Sequence, residues 1–420
     1  MARFRFIHAA DIHLDSPLLG LSAYEGAPVV MLRTATRRAF VRLVDAVLEE
    51  AADFLVIAGD LYDGDWRDHN TGLFFCSQMG RLRAAGIPVY VVYGNHDAES
   101  EITRKLPLPE NVRVFSAEAA ETFRLERLRV ALHGRSFRKR ETTENLVPGY
   151  PTPNPGWFNI GVLHTALEGS AAHADYAPCS IGELAARGYD YWALGHVHAH
   201  AIVCADPPIV YPGNLQGRHI REAGARGAVL VTVDGERVGI ERLDLDVLRW
   251  HHLDVDTGGL CSLPEVVTRV GECLADLMSA EGDGKPLAVR LTLSGKTAAH
   301  GSLFGLEGQL RAEILAHAVG LGADGLWVER VCIRTEPSID RETVRARADA
   351  LADIQALLEQ APGDESLAAD LLPTLRKLAS DAPPELTETV PELADIRAGK
   401  LDDLIRRVTP GLLARIAVEC

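Results

Sequence analysis

Five apolar runs in the first half of the chain each end in a short polar string. The strings are Asp11-Ile12-His13, Gly59-Asp60, Gly94-Asn95-His96-Asp97, His164 and Gly195-His196-Val197-His198. The runs have the length of buried strands, and amphipathic helical patterns over Arg33–Ala51 and Thr71–Ala85 separate the first three. In open α/β sheets, ligands bind outside the carboxyl ends of the strands. The pattern therefore predicts an α/β fold whose polar strings converge on one sheet edge.

The patterning changes twice along the 420 residues and predicts three regions. Strand and helix signals alternate over 1–245, which predicts the domain that carries the strings. Residues 246–336 alternate strand and helix without such strings and predict a small α+β domain. Only helical periodicity remains over 337–420. No apolar run approaches the roughly 18 residues of a membrane span, so we expect no membrane segment.

The charge and cysteine content narrow the class of protein. A net charge of −16 argues against a protein that coats nucleic acid by electrostatic attraction alone. Basic residues cluster nevertheless, over 124–140, among Arg33, Arg37, Arg38 and Arg42, and among Arg218, Arg221 and Arg226. A solvated surface and an anion contact stay open for each cluster. Seven scattered cysteines without a Cys-x-x-Cys pair favour a reducing cytoplasm.

The residue types in the strings are those that hold a pair of divalent metals. An Asp-x-His pair on an extended segment points both side chains the same way, where they can share one ion. The carboxylate of Asp60 can bridge two ions, and Asn95 offers a neutral oxygen. Nitrogen and oxygen ligands without thiolate favour Mn²⁺, Fe²⁺ or Zn²⁺ over Mg²⁺. Two such ions about 3.5–4 Å apart can clamp a phosphate ester for hydrolysis.

Each string has an ordinary alternative when it is taken alone. A single Asp-x-His or Gly-Asp is more often a cap or a solvated turn, and His164 could be a satisfied residue at a strand end. His8, His133 and His200 fit structural or loop roles better than ligand roles. The occurrence of every string at a strand end makes coincidence the weaker explanation.

The order of the strings resembles the calcineurin-like metallophosphoesterase superfamily. Its pattern runs D-x-H, G-D, G-N-H-[DE], a His after an apolar strand, and G-H-x-H. Within it the chain is most similar to the SbcD-type DNA exonucleases, especially the YhaO-like proteins, through residues 8–15, 189–198 and 211–222. The resemblance implies a β-sandwich flanked by helices, a small α+β capping domain and a helical C-terminal tail.

The resemblance also implies a role for each ligand candidate. Two divalent ions are expected, with Mn²⁺ as the first choice and Fe²⁺, Zn²⁺ or Mg²⁺ as alternatives. One ion would be held by Asp11, His13 and His198, the other by Asn95, His164 and His196, with Asp60 bridging them. His96 would stabilise the charge on phosphorus or protonate the leaving oxygen, and Asp97 would orient His96 through its ring N–H.

One position departs from the nuclease pattern. Nuclease relatives often carry a second catalytic His three residues after the bridging Asp, where this chain has Asp63. A carboxylate donates no proton near neutral pH unless its pKa is raised, so the role passes to Asp63, to His69 or to no residue. The candidate substrate contacts are Arg218, His219, Arg221, His173 and Asp63. Surface salt bridges are the alternative for the two arginines.

The function implied by the resemblance is a two-metal DNA phosphodiesterase. It would be a 3′→5′ exonuclease, with endonuclease activity as a further option, and would act in DNA repair with a coiled-coil ABC-type ATPase of the SbcC/YhaN kind. One alternative is a nucleotidase, cyclic-nucleotide phosphodiesterase or protein phosphatase of the same superfamily. Another is an inactive scaffold for the ATPase. The resemblance leaves a homodimer open.

The C-terminal helices carry an apolar stripe that would suit a partner. It comprises Leu401, Leu404, Ile405, Val408, Leu412 and Leu413. The stripe either docks on the ATPase or packs on the core of the chain itself.

Overall fold

The computed structural model describes most of the chain. The described residues are 3–16, 29–63, 69–99, 107–167, 176–281, 284–303, 306–320, 325–338, 350–381, 391–406, 408–409 and 412. They fall into two compact units, Met1–His251 with Gly284–Ala288, and His252–Asp283 with Val289–Cys420. Each unit is described below by itself.

Strands dominate the first unit, and helices become more frequent in the second. The strands are β1 (Arg3–Ala9), β2 (Phe54–Ala58), β3 (Val89–Val92), β4 (Val112–Val114), β5 (Glu121–Leu125), β6 (Val130–Gly134), β7 (Phe158–His164), β8 (Tyr191–Gly195), β9 (Ala201–Ala205), β10 (Pro208–Tyr211), β11 (Gly227–Asp234), β12 (Arg237–Asp244), β13 (Arg249–Asp256), β14 (Leu287–Thr297) and β15 (Leu326–Pro337). The α-helices are α1 (Val29–Glu49), α2 (His69–Ala84), α3 (Ile181–Ala186), α4 (Leu263–Glu281), α5 (His300–Leu303), α6 (Glu307–Gly320), α7 (Ala350–Gln360), α8 (Glu365–Asp381) and α9 (Pro391–Arg397). Short 3₁₀ helices in the described ranges cover Asp97–Glu99, Val147–Gly149 and Ile220–Glu222.

Two six-stranded sheets form the first unit. Their strand orders are β12-β11-β1-β2-β3-β4 and β5-β6-β7-β8-β10-β9. Strands β1 to β4 are mutually parallel, and so are β6, β7, β8 and β10. Buried side chains from the two sheets, among them Phe6, Phe54, Val162 and Tyr191, form one apolar cluster. The expected β-sandwich of the α/β class is therefore confirmed.

Helices α1 and α2 cover the outer face of the first sheet. Phe40 and Val44 of α1 and Phe75 of α2 pack with Leu55 and Ile57 of β2 in one buried cluster. All five residues of β2 are buried because both faces of this strand are covered. This explains why the strand is a continuous apolar run in the sequence instead of an alternating one.

The second unit contains helices around a smaller sheet. Strands β13, β14 and β15 form a three-stranded sheet in that order, α6 contacts β15, and α4 contacts α6. Helices α8 and α9 pack together, and Ala379, Ile396 and Leu401 are buried between them, with Leu404 and Ile405 partly covered. The first part of the predicted apolar stripe thus packs on its own chain, whereas Leu413 lies outside the described residues. No helix in the described ranges is both long and apolar enough to cross a membrane.

Candidate metal centre

The five strands that were expected to carry ligands end at one edge of the sandwich. Asp11 N–H donates to Gly59 O and His13 N–H to Asp60 O, each at 3.0 Å, so the segment after β1 runs beside the end of β2. In the second sheet, His164 of β7 is paired with Gly195 of β8. The strings are thus brought together although they are up to 187 residues apart between Asp11 and His198.

The backbone turns sharply where the strands end. Asp11, His13, Asp60 and His196 all have positive φ, at 50°, 45°, 50° and 102°. This left-handed region is uncommon for residues other than glycine, although Asp and His enter it more readily than most. Strained residues of this kind cluster at functional sites, because the surrounding structure must hold them there. The concentration of four of them at one edge favours a site over a set of ordinary turns.

Glycine at position 195 is required by close packing. A Cβ atom there would lie 1.8 Å from Ala58 O, in the other sheet, and 2.9 Å from His164 Nδ1. The φ of Gly195 lies outside the left-handed range, so a tight turn is not what requires a glycine here. The absence of a side chain at Gly195 lets the ends of β2 and β8 approach each other.

The first ligand cluster contains Asp11, His13 and His198, whose nearest ligating atoms lie within 4.8 Å of one another. His13 Nε2 lies 3.2 Å from His198 Nε2, and His198 Nε2 lies 3.8 Å from Asp11 Oδ1. The ring of His198 is oriented by Glu222, whose Oε1 accepts from Nδ1 at 2.7 Å. Two imidazole nitrogens at this separation need a proton or a metal ion between them. The donor set fits a divalent ion of the kind that the sequence predicted.

The second cluster surrounds His164 and shares Asp60 with the first. His164 Nδ1 donates to Ala58 O at 3.0 Å, so Nε2 is the lone-pair atom in the neutral form of the ring. That atom faces Asn95 Oδ1 at 3.0 Å and Asp60 Oδ2 at 3.5 Å, which are also lone-pair atoms. Asp60 Oδ2 lies 3.9 Å from His13 Nε2 as well, between the two clusters. A proton on His164 Nε2 or a cation among these atoms can hold them at such distances, and the nitrogen and oxygen donor set fits a second metal ion.

His196 lies beside the second cluster, with its ring centroid 5.3 Å from that of His164. Its backbone N–H donates to both carboxylate oxygens of Asp11, at 3.1 and 3.0 Å. The backbone N–H of His96 donates in the same way to Asp60 Oδ1 at 3.0 Å. Each of the two buried carboxylates is therefore fixed by a backbone amide from another string.

The electrostatics of the site favour bound cations. Asp11 and Asp60 are each 1% exposed. Burial raises the pKa of Asp11, whereas for Asp60 burial is outweighed by His164, His13 and His96, which hold its pKa below the usual range. Burial, together with the charge of Asp60, raises the pKa of Asp97 to about 7. Buried carboxylates this close to one another are stable only with positive charge nearby.

Asp97, which was expected to orient His96, is hydrogen-bonded to backbone groups in the structure. The carboxylate at the His96 ring belongs to Asp63, whose Oδ1 lies 2.7 Å from His96 Nδ1. Asp97 instead accepts the backbone N–H groups of Leu61 at 3.1 Å, Tyr62 at 2.8 Å and Gly94 at 3.0 Å. These hydrogen bonds connect the loop after β2 with the loop after β3, and the carboxylate at Nδ1 of His96 is that of Asp63.

The candidate substrate residues differ in whether they are exposed or engaged in ion pairs within the protein. The guanidinium of Arg218 is held between Asp63, at 3.6 Å, and Glu222, at 3.2 Å, so it makes internal ion pairs. His219 is exposed, with Nε2 3.7 Å from Glu222 Oε1, and Arg221 is exposed as well. His173 lies outside the described residues. His69, the alternative to Asp63, is the first residue of α2.

Glu222 is the functional residue that sequence reasoning missed. It is 5% exposed, it orients His198, and it also accepts from Asn214 Nδ2 at 3.0 Å and from the backbone N–H of Arg218 at 2.7 Å. Residues of this kind fix the ring orientation of a metal-binding histidine. Its only signal in the sequence was its position at the end of residues 211–222, one of the segments that carry the family resemblance.

A two-sheet sandwich with paired nitrogen and oxygen clusters at its strand ends defines a dinuclear metal-binding protein. Residues 4–200 match the calcineurin-like phosphoesterase family, and residues 250–336 match the middle domain of the metallophosphoesterase YhaO. The metallophosphoesterase YhaO of Bacillus subtilis (strain 168) is 36% identical over 294 residues, which cover 69% of this chain and 71% of YhaO. The chain belongs to the calcineurin-like metallophosphoesterases, hydrolases with a dinuclear metal centre.

More distant similarity extends to two archaeal proteins named DNA double-strand break repair protein Mre11. The protein of Sulfurisphaera tokodaii is 22% identical over 62% of this chain and 67% of its own length. That of Methanopyrus kandleri is 26% identical over 59% of this chain and 57% of its own length.

Proposed function

We propose that this metallophosphoesterase is a DNA phosphodiesterase that removes nucleotides in the 3′→5′ sense. One observation carries metal-dependent hydrolysis. His164 Nε2 faces Asn95 Oδ1 and Asp60 Oδ2, and Asp60 Oδ2 also lies near His13 Nε2 of the adjoining cluster. The similarity to two proteins named as Mre11 supports DNA as the substrate. For the α+β region, whose residues 250–336 match the YhaO middle domain, we propose a substrate-selecting role.

Each part of the site has a defined task in this proposal. A metal pair, with Mn²⁺ as our choice, would activate water and neutralise the phosphate oxygens. Asp60 would join the two ligand sets. Glu222 orients His198 and Ala58 O orients His164, each through Nδ1, so the Nε2 atom of each ring would be available to an ion. His96 would protonate the leaving oxygen, because its ring lies at the rim of the site, 4.9 Å from that of His13 between centroids.

We also propose a cytoplasmic protein that acts with a coiled-coil ABC-type ATPase of the SbcC/YhaN kind. Leu357 of α7 is 68% exposed and Leu378 of α8 is 64% exposed, so these helices present apolar side chains that a partner could cover. A homodimer stays a prediction as well. Co-purification of the ATPase with the full chain, compared with a chain that lacks residues 390–420 and with a Leu357→Asp/Leu378→Asp variant, tests the docking; unchanged binding of both would contradict it.

The test of the proposed function is Mn²⁺-dependent digestion of end-labelled duplex and single-stranded DNA. We expect His96→Ala to lower the rate by about 10²–10⁴, the usual contribution of a positioned acid. Asp45→Asn, at a surface carboxylate paired with Arg81, is the control and should leave the rate unchanged. Hydrolysis of mononucleotides without DNA cleavage would favour a nucleotidase, and protein that binds no Mn²⁺ would favour a scaffold. A His96→Ala rate near that of the wild type would refute the role of this residue.

A further inference from the structure

Strand β12 is an open edge of the first sheet. It comprises the eight residues Arg237–Asp244 and pairs with β11 over its whole length without a shift in register. It lies at one end of the strand order β12-β11-β1-β2-β3-β4, so one side of its backbone has no strand partner among the described residues. A long, regular and unpaired edge is a template on which another strand can add.

The other edges of the described sandwich are less suited to pairing. Strand β4 has three residues and β5 has five, which limits the ladder that either can offer. Strand β9 is irregular, because its register with β10 shifts between Ile209 and Val210. Short strands and irregular ladders are common ways to keep an edge from pairing. Strand β12 has neither feature.

The hairpin between β11 and β12 decides which backbone groups point outward. Asp234 and Arg237 flank a two-residue turn and are register partners, so they form a hydrogen-bonded pair. Such pairs recur at every second residue, so the odd-numbered residues of β12 bond to β11. The even-numbered residues direct their N–H and C=O groups away from the sheet; they are Val238, Ile240, Arg242 and Asp244.

The charges of β12 select one register for pairing with a second copy of itself. Two antiparallel registers match the outward groups and leave out a single residue of each strand. The one centred on Glu241 places the two copies of this carboxylate directly opposite each other, which is destabilising. The one centred on Ile240 opposes each charged residue to an uncharged one. Its opposed pairs are Arg237 with Leu243, Glu241 with Gly239, and Arg242 with Val238.

We propose that β12 is a homodimer interface in which two copies pair antiparallel about a two-fold axis at Ile240. About six backbone hydrogen bonds join the strands, two in the Ile240 pair and two in each pair of Val238 with Arg242. Val238 and Ile240 also pack partly against the apolar cluster between the sheets, so apolar side chains of both copies meet on that face. The strand carries two basic and two acidic residues, so the net charge of −16 per chain is not concentrated at this edge.

The dimer leaves both metal centres accessible. Strand β12 runs in the same direction as β1, since each is antiparallel to β11. The two copies of β12 run in opposite directions, so the metal centres, which lie past the carboxyl end of β1, face opposite ends of the joined sheet. The inference goes beyond the proposed hydrolysis and does not depend on it.

The mass of the protein in solution tests the interface. Sedimentation equilibrium over a concentration series should show wild-type protein approaching twice its chain mass of 45.5 kDa. Ile240→Pro removes an N–H that β11 does not use, a position that tolerates proline at a sheet edge. Both hydrogen bonds of the central pair are then lost, and we expect the dimer Kd to rise by about 30-fold or more. Leu73→Lys, at a 60% exposed apolar residue of α2, is the control and should dimerise as wild type does.

Paired cysteines test the register and decide the matter even if Ile240→Pro does not fold. Gly239→Cys combined with Glu241→Cys places thiols directly opposite each other, in a pair whose Cα atoms lie about 4.5 Å apart, within disulfide range. A Cβ at Gly239 would lie 3.7 Å from Thr232 O, an ordinary contact, so cysteine fits there. Under mild oxidation the double variant should form a reducible dimer on denaturing gels, whereas Glu241→Cys alone and the wild type should not.

Three results would overturn the proposal. The first is wild-type protein that stays at 45.5 kDa at every concentration. The second is a dimer that Leu73→Lys abolishes and Ile240→Pro keeps, because the helical face would then be the interface. The third is a disulfide in Glu241→Cys alone, which requires the other register. Each of these results leaves the proposed hydrolysis untouched, so the two ideas fail separately.

Discussion

The histidines of the metal centre depend on acceptors that lie outside the ligand set. His198 is oriented by Glu222, His164 by the carbonyl of Ala58, and His96 by Asp63. A ring nitrogen that donates to such an acceptor leaves the opposite nitrogen free to bind a metal or carry a proton. The tautomer of each histidine is therefore set by a group outside the predicted ligand set.

We expect Glu222→Gln to weaken Mn²⁺ binding by about 10–100-fold, the usual effect of losing a partner of a metal-binding histidine. Gln keeps the volume of the side chain but removes the charge that holds His198 Nδ1 and Arg218. Calorimetric titration of chelator-treated protein with Mn²⁺ measures the change. Glu118→Gln, at a 74% exposed partner of Arg138, is the control. An unaltered Kd for Glu222→Gln would show that His198 needs no partner.

The strand ends are the elements that assemble the site. Each of β1, β2, β3, β7 and β8 is followed or terminated by a ligand string, and both sheets contribute. The two sheets must approach closely at this edge, since His164 of one sheet donates to Ala58 O of the other. The geometry of the metal centre is therefore a property of how the sheets pack.

We expect Gly195→Ala to lower the free energy of unfolding of the first unit by about 3 kcal/mol, the upper end of the usual cost of overpacking. Metal binding should weaken as well. The added Cβ would lie 1.8 Å from a backbone carbonyl, which cannot rotate away as a side chain could. Gly80→Ala is the matched control, because no atom lies within 4 Å of its Cβ and alanine favours helix α2. Urea unfolding compares the two; equal stabilities would show that the sheets can separate without cost.

Burial inside the sandwich makes the whole first unit sensitive to acid. His8 is fully buried, with Nδ1 3.1 Å from Tyr191 Oη and Nε2 3.1 Å from Leu194 O. Burial lowers its pKa from 6.5 to about 3. Between these two values the unfolded chain binds a proton that the folded chain excludes. His8 therefore contributes to stability above pH 6.5, and this contribution is lost as the pH falls toward 3.

We expect stability to fall between pH 6 and pH 4 with a contribution from His8 of about 1.4 kcal/mol per pH unit. His8→Gln has no titrating group at this position. Its free energy of unfolding should therefore change with pH less steeply than that of the wild type, by about 1.4 kcal/mol per pH unit. Urea unfolding at several pH values measures both slopes, and His252→Gln, at an exposed histidine, should match the wild type. Parallel slopes for wild type and His8→Gln would contradict the burial argument.

Sequence patterns predicted some elements much better than others. The five ligand-bearing strands were recognised because each is a buried apolar run beside a polar string. Strands β5 and β9 were not, because they alternate or are half exposed and have no string to mark them. Helix α8 was recognised from its periodicity although it continues through Pro373, a residue that usually marks a helix end in a sequence.

The amino-acid sequence by itself determined the ligand types, their order and their place at strand ends, because these depend on neighbouring residues and on strand burial. Only the tertiary structure decided which carboxylate meets which histidine. Asp63 and Glu222 reach His96 and His198 across 33 and 24 residues of chain, whereas the expected partner, Asp97, lies next to His96 in sequence. Adjacent side chains on a turn point apart, so the contact that orients His96 comes from the packing of separate loops.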